Sequence, residues 1–189
     1  MTDKEIIEII RGRLSEKRFN HSLEVAKEAA RLARIYKEDE ARLYTAGLLH
    51  DITKETSPAE QLEILAESDI ILSDIEKNSF KLWHAKSGAE FVKNHLGITD
   101  EEIITAIRFH TTAKADMTAF QKLLYIADFT SLDRNYEGVE DVRKAANVSI
   151  EAAMYEGLAF TVLDLAGAGK AIHPDTFEAY NQIVLRKKS

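Results

Sequence analysis

Six histidines are spread along the chain, and four of them stand in strongly apolar surroundings. His21 follows Arg18-Phe19-Asn20, His50 and Asp51 close the run Gly47-Leu48-Leu49, His84 follows Leu82-Trp83, and His110 follows Ile107-Arg108-Phe109. Asp128 ends the run Leu123-Leu124-Tyr125-Ile126-Ala127. An aspartate in so apolar a segment is costly unless it is paired or ligated. Imidazoles and carboxylates that converge in a helical core are a standard means of holding divalent metals. Taken singly, each residue has a plainer explanation. A core histidine can satisfy itself on a carbonyl, and Asp128 could pair with Arg134. The adjacent His50-Asp51 pair resists that account, because two ligand-type side chains stand together at the end of an apolar helix. His95, just before Gly97, is expected at a helix C-terminus, where an imidazolium suits the dipole. With no cysteine in the chain, thiolate zinc sites, iron–sulfur clusters, disulfides and a cysteine nucleophile are excluded, so any metal must sit on nitrogen and oxygen.

The elements that would position these residues are helices. Two prolines and eight glycines in 189 residues leave few stops, and apolar residues recur at three- and four-residue spacing in nearly every window. Ile6, Ile7, Ile10 and Leu14 make one stripe; Leu23, Val25, Ala26, Ala30, Leu32 and Ala33 make a broader one. Ser57 before Pro58 reads as a cap and first helical position. Thr99 with Glu102 three residues on has the capping-box spacing and is expected to open a helix to about His110. Further helices are expected at 118–129, 138–146, 149–166 and 174–187. The run Asp69-Ile70-Ile71-Leu72 is β-branched but short and reads as a connection or a helical turn rather than a strand.

Composition bounds the function. The charge is −7, from 25 Lys+Arg against 32 Asp+Glu, which argues against a sequence-independent grip on nucleic acid. The first residues alternate charged and apolar side chains, unlike a signal peptide, and no run approaches a membrane span, so a cytoplasmic protein without a membrane partner is expected. Arg186-Lys187-Lys188 reads as a complement to a helix dipole. No repeat, low-complexity block or linker marks a boundary, so one domain over residues 1–189 is expected.

The ordered set His21, His50-Asp51, Asp128 resembles the HD-domain metal-dependent phosphohydrolases, named for the adjacent His-Asp pair. His84 and His110 fall where two-metal members carry extra ligands, and Lys54 follows in His50-Asp51-Ile52-Thr53-Lys54. Further segments narrow the likeness to the YqeK-type symmetrical bis(5'-nucleosyl)-tetraphosphatases. They are Arg18-Phe19-Asn20-His21-Ser22, His110-Thr111-Thr112, Ile126-Ala127-Asp128, Arg134, Gly138-Val139-Glu140-Asp141-Val142-Arg143 and Ala171-Ile172-His173-Pro174-Asp175-Thr176. One departure is Phe129-Thr130-Ser131-Leu132-Asp133, where the family pattern has an acidic residue and a proline before the arginine.

The resemblance implies an all-α, single-domain HD-type bundle, with a metal core at about 18–134 and C-terminal helices at about 138–187. It implies hydrolysis of diadenosine tetraphosphate to two ADP by a metal-activated hydroxide, with Asp51 and Lys54 as catalytic residues. His21, His50, Asp51 and Asp128 would hold one metal, and His84 and His110 a second, with Asp51 shared. A one-metal site in which His84 and His110 touch phosphate stays open. Arg18, Lys54, Thr111, Arg134, Lys170 and His173 would contact substrate, with arginine suited to bidentate phosphate contact. Trp83 could stack on adenine or sit in the core. Iron is the metal the family suggests; manganese, cobalt, nickel or zinc would also accept such donors. Another nucleotide substrate (a deoxynucleoside triphosphate, a nucleoside monophosphate or an alarmone), a non-catalytic signalling module and a homodimer all remain compatible with the residues.

Overall fold

The computed structural model describes residues 1–68 and 70–186. Among them are eleven α-helices and one 3-10 turn, with no strand: α1 (Asp3–Arg13), α2 (Glu16–Tyr36), α3 (Glu40–Leu49), α4 (Pro58–Ala66), α5 (Asp74–Lys77), the 3-10 turn Phe80–Leu82, α6 (Trp83–Asn94), α7 (Glu101–Phe109), α8 (Ala119–Thr130), α9 (Val139–Ala146), α10 (Ile150–Gly167) and α11 (Pro174–Arg186). Asp69, Lys187 and Lys188, which enter the sequence expectations, lie outside the described residues; Ile70–Leu72 form a connection, as read from their length.

Local chemistry sets most helix starts. The side chains of Ser15, Asp39, Ser57 and Ser149 each accept a backbone N–H from the first turn of their helix, and Thr2 with Glu5 and Thr118 with Gln121 complete reciprocal capping boxes. The α7 start departs from expectation by one residue. Asp100, not Thr99, caps it, accepting from the N–H groups of Glu102 and Ile103. Asp100 is held for that task by two bonds of 2.7 Å from Arg42. Glu102 turns away from the cap to accept from Thr118 and Gln121 at the head of α8.

A continuous apolar core runs from Ile6 and Ile10 through α2, α3, α7 and α8 to Ile183. At its centre α2 and α3 form a hairpin whose closeness depends on one residue. A Cβ on Gly47 would lie 2.5 Å from Ala26 Cα and 2.8 Å from its nitrogen, so no side chain fits between the two backbones. That approach sets His50, three residues past Gly47, beside His21 on α2, with ring centroids 5.3 Å apart. Helix α8 packs on both α2 and α7 and brings Asp128 to the same place. Among the described residues no helix is long and apolar enough to cross a membrane.

Candidate metal centre

Six side chains from five elements meet inside the bundle: His21 from α2, His50 and Asp51 at the end of α3, His84 from α6, His110 at the end of α7 and Asp128 from α8. All the imidazoles and Asp51 are buried. Their donor atoms fall into three overlapping groups, each mutually within 4.8 Å: His21, His50 and Asp51; His50, His110 and Asp128; Asp51, His84 and His110.

The backbone decides which ring nitrogen faces the centre. Nδ1 of His50, His84 and His110 lies 2.7 Å from the carbonyls of Gly47, Lys81 and Ile107 respectively. A carbonyl only accepts, so each Nδ1 carries the proton and each Nε2 presents a lone pair inward. His21 is held by a carboxylate instead, with Asp133 Oδ2 2.7 Å from its Nδ1 and Nε2 3.0 Å from Asp128 Oδ1. Histidine ligands oriented this way by a carbonyl or carboxylate are the usual outer support of a metal site. Thr53 adds to it by donating to the His84 carbonyl at 2.9 Å.

The resulting arrangement sets lone pairs against one another. His84 Nε2 and His110 Nε2 are 3.1 Å apart, and Asp51 Oδ1 lies 3.2 and 3.5 Å from them. His50 Nε2 faces Asp51 Oδ2 at 3.5 Å, and both His50 Nε2 and Asp51 Oδ1 are buried without a hydrogen bond. Burial, opposed by the Asp51 carboxylate, pushes the His84 imidazole down to about 4, so near neutral pH it offers no proton to relieve the contact. Electron pairs gathered this closely are satisfied by a cation, and the donor set fits divalent metal. The two oxygens of Asp51 also face different partners: Oδ2 looks toward His21 and His50, Oδ1 toward His84 and His110.

Charge at the rim supports ionised carboxylates. Burial alone would favour the neutral acids, but Asp51 lies well below the usual carboxylate range, with the Arg18 guanidinium set against its Oδ2. Arg134, with His21 and His50, holds Asp128 low against its burial. Arg18 Nη1 is 2.8 Å from Asp51 Oδ2. Arg134 donates from Nε to the Asp128 carbonyl at 2.6 Å and from Nη2 to its carboxylate. Lys54 Nζ stands 3.0 Å from His84 Nε2 and 3.8 Å from Asp51 Oδ1; its pKa is lowered by burial, with Asp51 and Asp128 opposing. Thr111 Oγ1 lies 3.2 and 3.1 Å from the inward nitrogens of His84 and His110.

Four of the six residues expected to contact substrate, Arg18, Lys54, Thr111 and Arg134, thus border the cluster. They line a pocket of about 370 Å³ with Asp51, His110, Asp128 and three aromatic rings, Phe129, Tyr136 and Phe160. Lys170 and His173 do not; they line a neighbouring groove. His95 is remote, capping α6 and set 2.9 Å from Glu67. Trp83 is half-buried, its Nε1 donating to the Glu76 carbonyl at 2.6 Å.

Sequence reasoning missed Asp133, although its signal was available: an acidic residue directly before Arg134, inside the segment that departs from the family pattern. The loop keeps a carboxylate there, and Ser131 Oγ steadies it by donating to Oδ1 at 2.8 Å. The aromatic trio was also missed. Phe160 comes from α10, and only the packing of α10 on α8 brings it near Phe129 and Tyr136.

Comparison with known proteins agrees with this geometry. An HD domain model matches residues 18–133. The chain is 32% identical over 188 residues, covering all of both chains, to a symmetrical bis(5'-nucleosyl)-tetraphosphatase of Halalkalibacterium halodurans. It is 32% identical to the protein of that name from Bacillus subtilis, covering 97% of this chain and 98% of that one. A crystal structure of a predicted HD superfamily hydrolase involved in NAD metabolism from Clostridium acetobutylicum superposes with a TM-score of 0.94, at 34% identity and 98% coverage of each chain.

Proposed function

The chain belongs to the HD-domain family, and from that premise we propose that it is a metal-dependent hydrolase that cleaves diadenosine tetraphosphate symmetrically into two molecules of ADP. The observation that carries this reading is the convergence of buried, proton-free histidine nitrogens on the two oxygens of Asp51. Two full-length relatives bear the name of the reaction.

In this proposal His21, His50, Asp51 and Asp128 hold one divalent ion, and Asp51, His84 and His110 a second. Iron is part of the proposal, drawn from the family resemblance and suited to nitrogen and oxygen donors. Bound ions supply positive charge and an acidified water for attack on phosphorus. The chain's own residues do the rest. Arg18 and Arg134, paired with Asp51 and Asp128, offer guanidinium forks to phosphate oxygens. Lys54 sets a third positive charge against the attacked phosphoryl group, where density builds in the transition state. Thr111 offers a hydroxyl at the same rim. Asp51 keeps its charge beside the cationic side chains of Arg18 and Lys54, so it can steady the attacking water. The leaving ADP has a terminal phosphate with a second pKa of about 6, so it departs with little protonation and no general acid is assigned. A cytoplasmic setting is part of this proposal.

The test is incubation of metal-loaded protein with diadenosine tetraphosphate and separation of the adenine nucleotides. ADP alone is expected, and ATP with AMP would overturn symmetrical cleavage. Asp51→Asn is expected to abolish hydrolysis; full activity in that variant would overturn the site.

A further inference from the structure

The groove beside the metal centre, which holds Lys170 and His173 of the expected substrate contacts, is not used by the chemistry described at the metal centre. It measures about 950 Å³ and is lined on one wall by residues of the segment from Asp74 to Leu82, on the other by Leu165, Lys170, Ala171 and His173. Its floor includes Thr111 and Thr112, and Thr111 also lines the pocket of the metal centre. The two spaces therefore meet at one residue, whose hydroxyl lies within 3.2 Å of both His84 and His110.

The groove is built, not a gap between loose loops. Glu76, buried behind the wall from Asp74 to Leu82, is 2.5 Å from Lys86 Nζ on α6 and 3.4 Å from Nε2 of His173, which lines the other wall. Thr176, at the head of α11, donates to the Thr112 carbonyl at 2.7 Å. Two exposed lysines, Lys81 and Lys170, face this space, and neither has a carboxylate partner among the described residues. Lys81 is also coupled to the centre, because its carbonyl holds His84 Nδ1. Phe80 beside it is 41% exposed.

Resting on the function proposed above, the geometry points to this groove as the subsite for the second nucleoside diphosphate half of the substrate. A pocket of 370 Å³ lies at the small end of the roughly 300–1,000 Å³ typical of ligand sites, too small for two adenosines and four phosphates. Symmetrical cleavage breaks the central P–O–P bridge, so one ADP half lies on each side of the scissile bond and both must be accommodated. The Asp128 and Arg134 side opens onto the rings of Phe129, Tyr136 and Phe160; the His84 and His110 side opens through Thr111 onto the groove. Lys81 and Lys170 hold the phosphates of the second half there, and Phe80 offers a face to its base. The two identical halves of the substrate thus meet different surroundings.

The test uses metal-loaded, full-length protein with Lys81→Glu/Lys170→Glu, Phe80→Ala, and the rescue variant Lys81→Arg/Lys170→Arg. The charge reversal is expected to raise KM for diadenosine tetraphosphate about tenfold or more, with the smaller part of the loss in kcat, and the arginine pair to restore it. Calorimetric titration with ADP is expected to show a stronger and a weaker site in the wild type, with only one remaining after charge reversal. An unchanged KM and a single ADP site in the wild type would overturn the groove assignment while leaving symmetrical hydrolysis standing. A wild type that does not yield ADP would remove the proposed function and the groove with it.

Discussion

Replacing Asp133 by alanine tests whether the centre depends on a residue that is not itself a proposed metal ligand. Its carboxylate has one contact of consequence, Oδ2 to His21 Nδ1 at 2.7 Å. Losing it frees the ring to rotate and removes the negative charge that makes Nε2 a better donor. Loss of such an outer partner costs about 10–100-fold in metal affinity. The Asp133 side chain is 37% exposed, so water can take part of its place, and the lower half of that range, roughly 10–30-fold or about 1.4–2 kcal/mol, is expected. Asp133→Asn, which keeps an acceptor but not the charge, should fall between wild type and alanine. The assay is competition against a chelating indicator, with circular dichroism to verify the fold. Asp141→Ala, which removes only an exposed pair with Lys144, serves as the control. Metal affinity in Asp133→Ala equal to that of the control would refute the idea that a carboxylate outside the cluster orients His21.

Gly47→Ala should destabilise the protein by about 2–4 kcal/mol, because the added methyl meets backbone atoms of Ala26 that cannot yield like a side chain; an unshifted urea midpoint would contradict the close approach of α2 and α3. Metal-free protein should lose stability as pH falls from about 6.5 toward 4. His84 is pushed down to about 4 by burial, so between these values the unfolded chain binds the proton and the folded one does not. The contribution is full above the unfolded value and amounts to on the order of 3 kcal/mol. It should vanish in His84→Gln, and a His84→Gln stability profile with the same slope over that window would locate the effect elsewhere.

The residue types of the centre and its helical setting were legible in the sequence because both depend on local features. Apolar spacing places the starts of α8, α9, α10 and α11 within a residue of the expected positions, and imidazoles or carboxylates in apolar runs announce themselves as costly. The cap of α7 was misread by one position because Thr99 and Asp100 are both competent caps. The choice fell to Arg42, more than fifty residues away in the chain, which anchors Asp100.

What tertiary structure alone decided is where these groups meet and which atoms they present. No spacing says that the carbonyls of Gly47, Lys81 and Ile107 would turn three Nε2 lone pairs inward, or that Asp51 would face two histidine pairs with separate oxygens. Phe160 and Asp133 joined the site, and Lys170 and His173 fell into a separate groove, through helix crossings that bring together residues distant in sequence. Helices form from neighbours a few residues apart, so sequence pattern carries them. A metal centre forms from side chains on different helices, and their relative placement depends on the packing of the whole core.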